Sequence, residues 1–129
     1  MFTPGQIKAA HSKVKSGADF PAYIKEIKAM GVTRYVCYVT DGHIDYYGMN
    51  GHSVNIPAKY DALFINDVFN AKEFASELKA HQLGKTDFPT FIRRCADLGV
   101  EKWAISMKDM TCTYYDKKGN AVLTEQIPD

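Results

Sequence analysis

The chain has 129 residues, 46% of them apolar. That suffices for one shared core and falls short of two large independent domains. Sixteen Lys+Arg against fifteen Asp+Glu leave a formal charge of +1 with no long run of one sign, so nothing in the charge draws the chain to a polyanion and nucleic acid is not an expected partner.

Cys37, Cys95 and Cys112 are odd in number and widely spaced. They form neither a disulfide framework nor a metal knuckle. The expectation is a reduced, cytoplasmic protein whose cysteines serve as small buried hydrophobes. The Met1-Phe2-Thr3-Pro4 start has no basic region leading into an apolar run, so no signal peptide is expected. No apolar stretch approaches the ~18 residues that suggest a membrane span.

In chain order, Thr3, Pro4 and Gln6 have the pattern of an N-cap, a first-turn proline and a capping-box partner. Phe2 and Ile7 stand at hydrophobic-staple positions, and Ile7, Ala10, His11 and Val14 share a helical face that Ser16-Gly17 ends. Asp19 is the expected cap of a second helix whose apolar stripe is Tyr23, Ile24, Ile27 and Met30, with Gly31-Val32 as its stop. Residues 34–40 have strand composition, and Asp41-Gly42 predicts a two-residue hairpin in which Val39 faces Ile44. Alternation then places Tyr35, Cys37, Val39, Ile44 and Tyr46 on the core face, and Arg34, Val36, Tyr38, His43, Asp45 and Tyr47 on the other. A turn at 48–51 leads to a third strand at 53–56. Residues 58–69 carry no clear pattern. Asn70 with Glu73 caps a further helix bearing Phe74, Leu78 and, at its end, His81.

From there the chain repeats itself. Asp19-Phe20-Pro21 returns as Asp87-Phe88-Pro89, Gly31-Val32 as Gly99-Val100, Asp41 as Asp109, Tyr46-Tyr47 as Tyr114-Tyr115 and Gly51 as Gly119. A constant offset of 68 gives 10 identities over residues 19–51. The second copy puts Trp103, Ile105, Met107, Cys112 and Tyr114 on the core face, with Ala121-Val122-Leu123 as its third strand. Met110 replaces Gly42, so that turn is expected to differ in geometry. The fold class that follows is α+β. It has two layers, an antiparallel sheet or sheets packed against helices, and an internally duplicated helix–helix–meander unit with pseudo-twofold symmetry. One domain spans 1–129, with repeat units of approximately 1–57 and 70–128.

No metal, phosphate or nucleophile-elbow motif is present, and no cofactor is expected. His11 and His81 occupy corresponding helix ends, where a histidine can meet the last carbonyls. His43 and His52 lie beside turns and are expected to be solvated. His81 and Cys112 are the catalytic candidates, with Cys112 as a nucleophile only if its thiol is exposed. Its core-face register argues for an inert thiol. Tyr38, Tyr47 and Tyr115 fall on the outer sheet face, where they line a partner surface or pack on a loop. The helix start at Lys85-Thr86-Asp87 suits an anion, but Asp87 itself fills that role.

The runs His81-Gln82-Leu83-Gly84-Lys85-Thr86-Asp87-Phe88, Gly99-Val100-Glu101-Lys102-Trp103 and Met110-Thr111-Cys112-Thr113-Tyr114-Tyr115-Asp116 resemble the YbcV/YdfO-like family. These are bacterial and prophage-associated proteins with a domain of unknown function, some labelled phage envelope protein. The resemblance implies a compact α+β fold and supplies no cofactor, substrate or catalytic residue. Three functional readings remain. The first is a non-enzymatic protein-interaction domain, with a homodimer or other protein partner. The second is a small enzyme using His81 or Cys112. The third is a small-ligand protein with a pocket between the two units.

Overall fold

A computed structural model describes residues 2–15 and 17–127. Each unit contributes two helices and a three-stranded meander. The first holds α1 (Pro4–His11), α2 (Phe20–Ala29), β1 (Val32–Tyr38), β2 (Ile44–Gly48) and β3 (Ser53–Ile56). The second holds α3 (Ala71–Gln82), α4 (Phe88–Asp97), β4 (Val100–Ser106), β5 (Thr111–Asp116) and β6 (Ala121–Gln126). The strands form one antiparallel sheet in the order β3-β2-β1-β4-β5-β6.

The local signals explain most of these elements. Thr3 accepts from the Gln6 amide while Gln6 reaches back to the Thr3 amide, closing the capping box. Asn70 caps α3 through Glu73, and Asp87 caps α4 through Thr90. Two caps depart from expectation. α1 ends at His11, so Val14 packs from beyond the helix, and Ser16 lies outside the described residues. Asp19 sits in a helical conformation after a 3₁₀ turn at Gly17–Asp19, and its carboxylate accepts from the Lys15 amide instead of capping α2.

The first hairpin keeps the expected faces but not the expected pairing. Cys37, not Val39, faces Ile44, and Tyr35 faces Tyr46. The turn is wider because Val39 leaves β2 and donates to the Glu101 carbonyl of β4. Inside the turn, the Gly42 amide bonds the Tyr38 carbonyl and Asp41 accepts from the His43 amide. The slip is two residues, so no side chain changes face. A slip of one would expose Tyr35, Tyr46, Trp103 and Tyr114, each worth about 1.5–3 kcal/mol when buried. All four are buried against the helices. The second hairpin has the same register, Ile105 facing Cys112. Its turn also has the same handedness: Met110 adopts φ 53 where Gly42 has φ 79. Met110 is kept in that unfavourable region by burial and by the Ile127 amide, which bonds its carbonyl.

The sequence offset reappears as geometry. The offset carries Val36 onto Ala104, and Val36 pairs with Ala104 across the β1–β4 junction. The flanking pairs, Tyr35 with Ile105 and Cys37 with Trp103, exchange under the same operation. A pseudo-twofold axis therefore passes through the centre of the sheet. Residues 57–70 form the link between units without helix or strand, held by backbone bonds from Leu63 to Thr40, Asn66 to Ala96 and Asn70 to Leu98.

That link breaks the symmetry at the two helix stops. Gly31 has φ 107 and open space around it, whereas Gly99 has φ 89 and lies under the link, where a Cβ would stand 2.6 Å from the Val68 carbonyl oxygen. Gly31→Ala is expected to cost about 1–2 kcal/mol for the backbone conformation. Gly99→Ala adds a collision with main chain and is expected to cost on the order of 3 kcal/mol or more. Urea titrations of the two variants measure the difference, and equal midpoints would show that the link does not press on Gly99.

Candidate functional site

The helical layer and the inner face of the sheet enclose a pocket of about 200 Å³. Its lining follows the pseudo-twofold. Phe20 and Phe88 come from the starts of α2 and α4, and Tyr23 and Phe91 from their next turns. Tyr35 and Trp103 come from the central strands β1 and β4, while Ile44 with Cys112 and Tyr46 with Tyr114 come from β2 and β5. Each pair is related by the offset of 68. Cys37 also faces the pocket from β1. Strand alternation that sends these side chains inward thus builds the pocket floor as well as the core. Lys15, Gln82 and Gln126 are exposed and mark the mouth, where Gln82 donates to Glu125 at 3.0 Å.

The walls are aromatic and hold one another edge-on. Phe88 meets Trp103 at a centroid distance of 6.5 Å and 80°, and Tyr23 meets Tyr35 at 6.3 Å and 76°. Such edge contacts suit the ring quadrupoles. The Tyr23 and Tyr46 hydroxyls share a 2.6 Å hydrogen bond. Burial pushes the Tyr23 hydroxyl up to about 12 and Tyr46 higher still, so both remain neutral phenols. Tyr35 is only 4% exposed, yet its hydroxyl has no hydrogen-bond partner among the described residues. The same is true of the Trp103 indole N–H, on a side chain 7% exposed. Among the described residues no enclosed side-chain nitrogen or oxygen is left unpaired. Both groups must therefore reach accessible space, and the space both residues line is this pocket.

His11 and His81 border the pocket from the last turns of α1 and α3. His81 is stacked on Phe91, with centroids 4.2 Å apart and planes 8° from parallel. Its Nδ1 lies 3.2 Å from the Thr86 carbonyl oxygen and 3.1 Å from the Thr86 hydroxyl. The carbonyl can only accept whereas the hydroxyl can donate or accept; the tautomer that satisfies both carries its proton on Nδ1 and presents a lone pair on Nε2. Neither histidine bonds the last carbonyls of its own helix, as the helix-end position had suggested. His11 instead sets its ring edge-on to Tyr23 and Phe88. Burial lowers the pKa of both imidazoles; Lys59 adds to this at His11, and the Thr86 carbonyl and Asp87 partly oppose it at His81. Both rings are neutral at pH 7.

His11, His81 and Cys112 thus meet on one pocket. Cys112 itself is buried with its thiol pushed up to about 12 by desolvation, and it lies against the Tyr114 hydroxyl. Such a thiol is almost wholly protonated at neutral pH and is a poor nucleophile. Cys37 is likewise pushed up to about 12, and all three cysteines are free and buried. Among the described residues no cluster of His, Cys, Asp or Glu is arranged to hold a metal ion.

Tyr38, Tyr47 and Tyr115 lie on the opposite, outer face of the sheet, half-buried. Arg34 sits 3.7 Å above the Tyr47 ring, and Lys102 lies between Tyr38 and Tyr115 at 5.8 and 5.5 Å. His43 and His52 are not simply solvated. His43 stacks on Tyr38 and pairs with Asp41, and the His52 ring bonds the Phe2 carbonyl. The pocket residues that single-residue reasoning missed, Phe20, Phe88, Trp103 and Tyr35, carried a signal all the same: each is aromatic in both copies at the same repeat position.

The chain belongs to the family described as "Protein of unknown function (DUF1398)", whose match spans residues 8–126. No curated protein matches it. Among the described residues no helix is long and apolar enough to cross a membrane.

The two neutral histidines give a pH signature. Unfolding returns them to ordinary values near 6.5, above their folded values. As pH falls below about 6.5 the unfolded chain takes up protons first, so stability declines with acidification and is restored above that pH. Thermal melts from pH 7.5 to 5 should show this fall, and His81→Gln should flatten it. An unchanged slope would mean His81 does not titrate differently on folding.

Proposed function

We propose, for this member of a family of unknown function, that the protein binds a small, uncharged, ring-bearing molecule in the pocket on its pseudo-twofold axis. The observation that carries the reading is an aromatic pocket into which a tyrosine hydroxyl, that of Tyr35, opens without a hydrogen-bond partner among the described residues. A hydroxyl in that setting is costly unless a guest or solvent satisfies it. Size limits the guest. A dry apolar cavity near 150 Å³ accepts benzene, so about 200 Å³ suits on the order of eight to ten non-hydrogen atoms. Charge limits it too: the histidines and tyrosines inside are neutral, and the charged Lys15 and Glu125 stand only at the mouth. The poor thiol of Cys112 favours binding over catalysis. The buried reduced cysteines fit a cytoplasmic location, and the resemblance to the YbcV/YdfO-like proteins supports a bacterial or prophage source.

Trp103 is the chain's single tryptophan and stands in the pocket wall, so entry of a guest changes its emission. Titration with toluene and naphthalene should shift that emission saturably and raise the melting temperature. Val14→Phe, at the half-buried rim, should weaken both effects while leaving the fold intact and Trp103 the single tryptophan. No shift with any neutral ring compound would remove the proposal.

A second reading, a protein partner or a second copy on the outer sheet face, has one observation in its favour: three half-buried tyrosines on that face, Tyr47 under Arg34 and Tyr38 and Tyr115 on either side of Lys102. Sedimentation of the wild type against Tyr47→Ser and Tyr115→Ser tests it. This reading expects an assembly that both changes weaken, with ring-compound binding untouched. A monomer insensitive to either change excludes self-association there.

A further inference from the structure

The pocket is symmetric in shape but not in chemistry, and the asymmetry constrains its guest. The ring of His81 is fixed on three sides. Phe91 covers one face at 4.2 Å, the Thr86 carbonyl and hydroxyl hold Nδ1, the carbonyl accepting from its N–H, and α3 holds the base of the side chain. What remains is the Nε2 lone pair, which has no partner among the described residues and is not enclosed. Because the ring lines the pocket, that lone pair is an acceptor offered to the pocket's contents. On the sheet floor the Tyr35 hydroxyl and the Trp103 N–H, and on α1 the His11 ring, also lack hydrogen-bond partners among the described residues. The Tyr23 and Tyr46 hydroxyls already satisfy each other, and Tyr114 leans on Cys112.

We infer that the pocket selects a flat aromatic molecule that carries a hydrogen-bond donor on its ring, an indole-type N–H or a phenol-type O–H, and that His81 Nε2 accepts that hydrogen. The inference rests on the proposed ligand-binding reading and adds the chemical class. A ring sandwiched among Phe20, Phe88 and Trp103 meets π faces and edges on every side. A donor directed at His81 pairs an acceptor that the protein leaves open. An analogue lacking the donor leaves that acceptor unpaired, and this is how such sites discriminate. His81 acts here as a binding group, and no covalent step is involved.

Three nearly isosteric bicycles separate the possibilities: indole donates, benzofuran only accepts, and indene does neither. Calorimetric titration of the full chain with each compound is compared between the wild type and His81→Phe, which keeps a ring to stack on Phe91. The expected result is a loss of roughly three- to tenfold in indole affinity, the worth of one hydrogen bond, with indene and benzofuran changed less than twofold. As a variant-free check, ¹⁵N-histidine-labelled wild type should show a shift of the His81 Nε2 resonance with indole and none with indene. If all three compounds bind and His81→Phe weakens them equally, the acceptor role is wrong while the pocket reading stands. If the Nε2 resonance responds alike to indole and indene, the same conclusion holds even should His81→Phe fail to fold. If none of the three binds the wild type, the pocket reading falls and this inference with it.

Discussion

Pairing of β1 with β4 is the constraint on which everything else depends. Five residue pairs from Arg34↔Ser106 to Tyr38↔Lys102 join two meanders that would each be a small, marginal sheet alone. The junction is antiparallel and centred on Val36↔Ala104, so it can only bring the units together related by a twofold. Once that is fixed, strand alternation sends Tyr35, Cys37, Trp103 and Ile105 to the same side, beneath both helix pairs. Core, axis and pocket floor are then one set of side chains seen at different distances from the junction.

Much of this was legible in the chain itself. Capping residues marked α1, α3 and α4, glycines marked the helix stops, and the repeat of Asp-Phe-Pro and Gly-Val made the two units visible. Face assignment survived even where the hairpin register did not, because alternation depends on parity alone. The misjudged features share a cause: each is decided by a contact distant in sequence. Val39 pairs with β4 instead of closing the tight hairpin, and Lys15 competes for the Asp19 carboxylate. Met110 accepts a left-handed conformation because Ile127 and the core hold it there. The path of residues 57–70 is set by carbonyls of the turn after β1 and the end of α4, which no local pattern announces.

The site was legible only in fragments. His81 and Cys112 stood out as reactive types, yet neither the aromatic walls nor the unpaired hydroxyl is a property of any one segment. Tyr35 reads as an ordinary core residue at its place in β1. Its significance appears only when Tyr23 and Tyr46 are seen to bond each other and leave it out. The outer tyrosines show the reverse. Their composition suggested a surface awaiting a partner, whereas Arg34 and Lys102 already lie against their rings.

Duplication accounts for why a pocket of this kind lies on the axis. Two copies of one unit meet with like residues opposed, and like residues seldom interlock: Phe20 confronts Phe88, and Tyr46 confronts Tyr114 across the same centre. Protein interiors tolerate few voids, because every missing contact forfeits dispersion energy. The two copies have diverged within the pocket lining. Tyr35 stands opposite Trp103, Ile44 opposite Cys112, and the second-unit His81 alone has its Nδ1 anchored by a carbonyl. The members of each pair differ in volume, Trp exceeding Tyr and Ile exceeding Cys, as well as in hydrogen-bonding character. Duplication thus supplies a symmetric frame, and divergence within the lining gives that frame two chemically different halves.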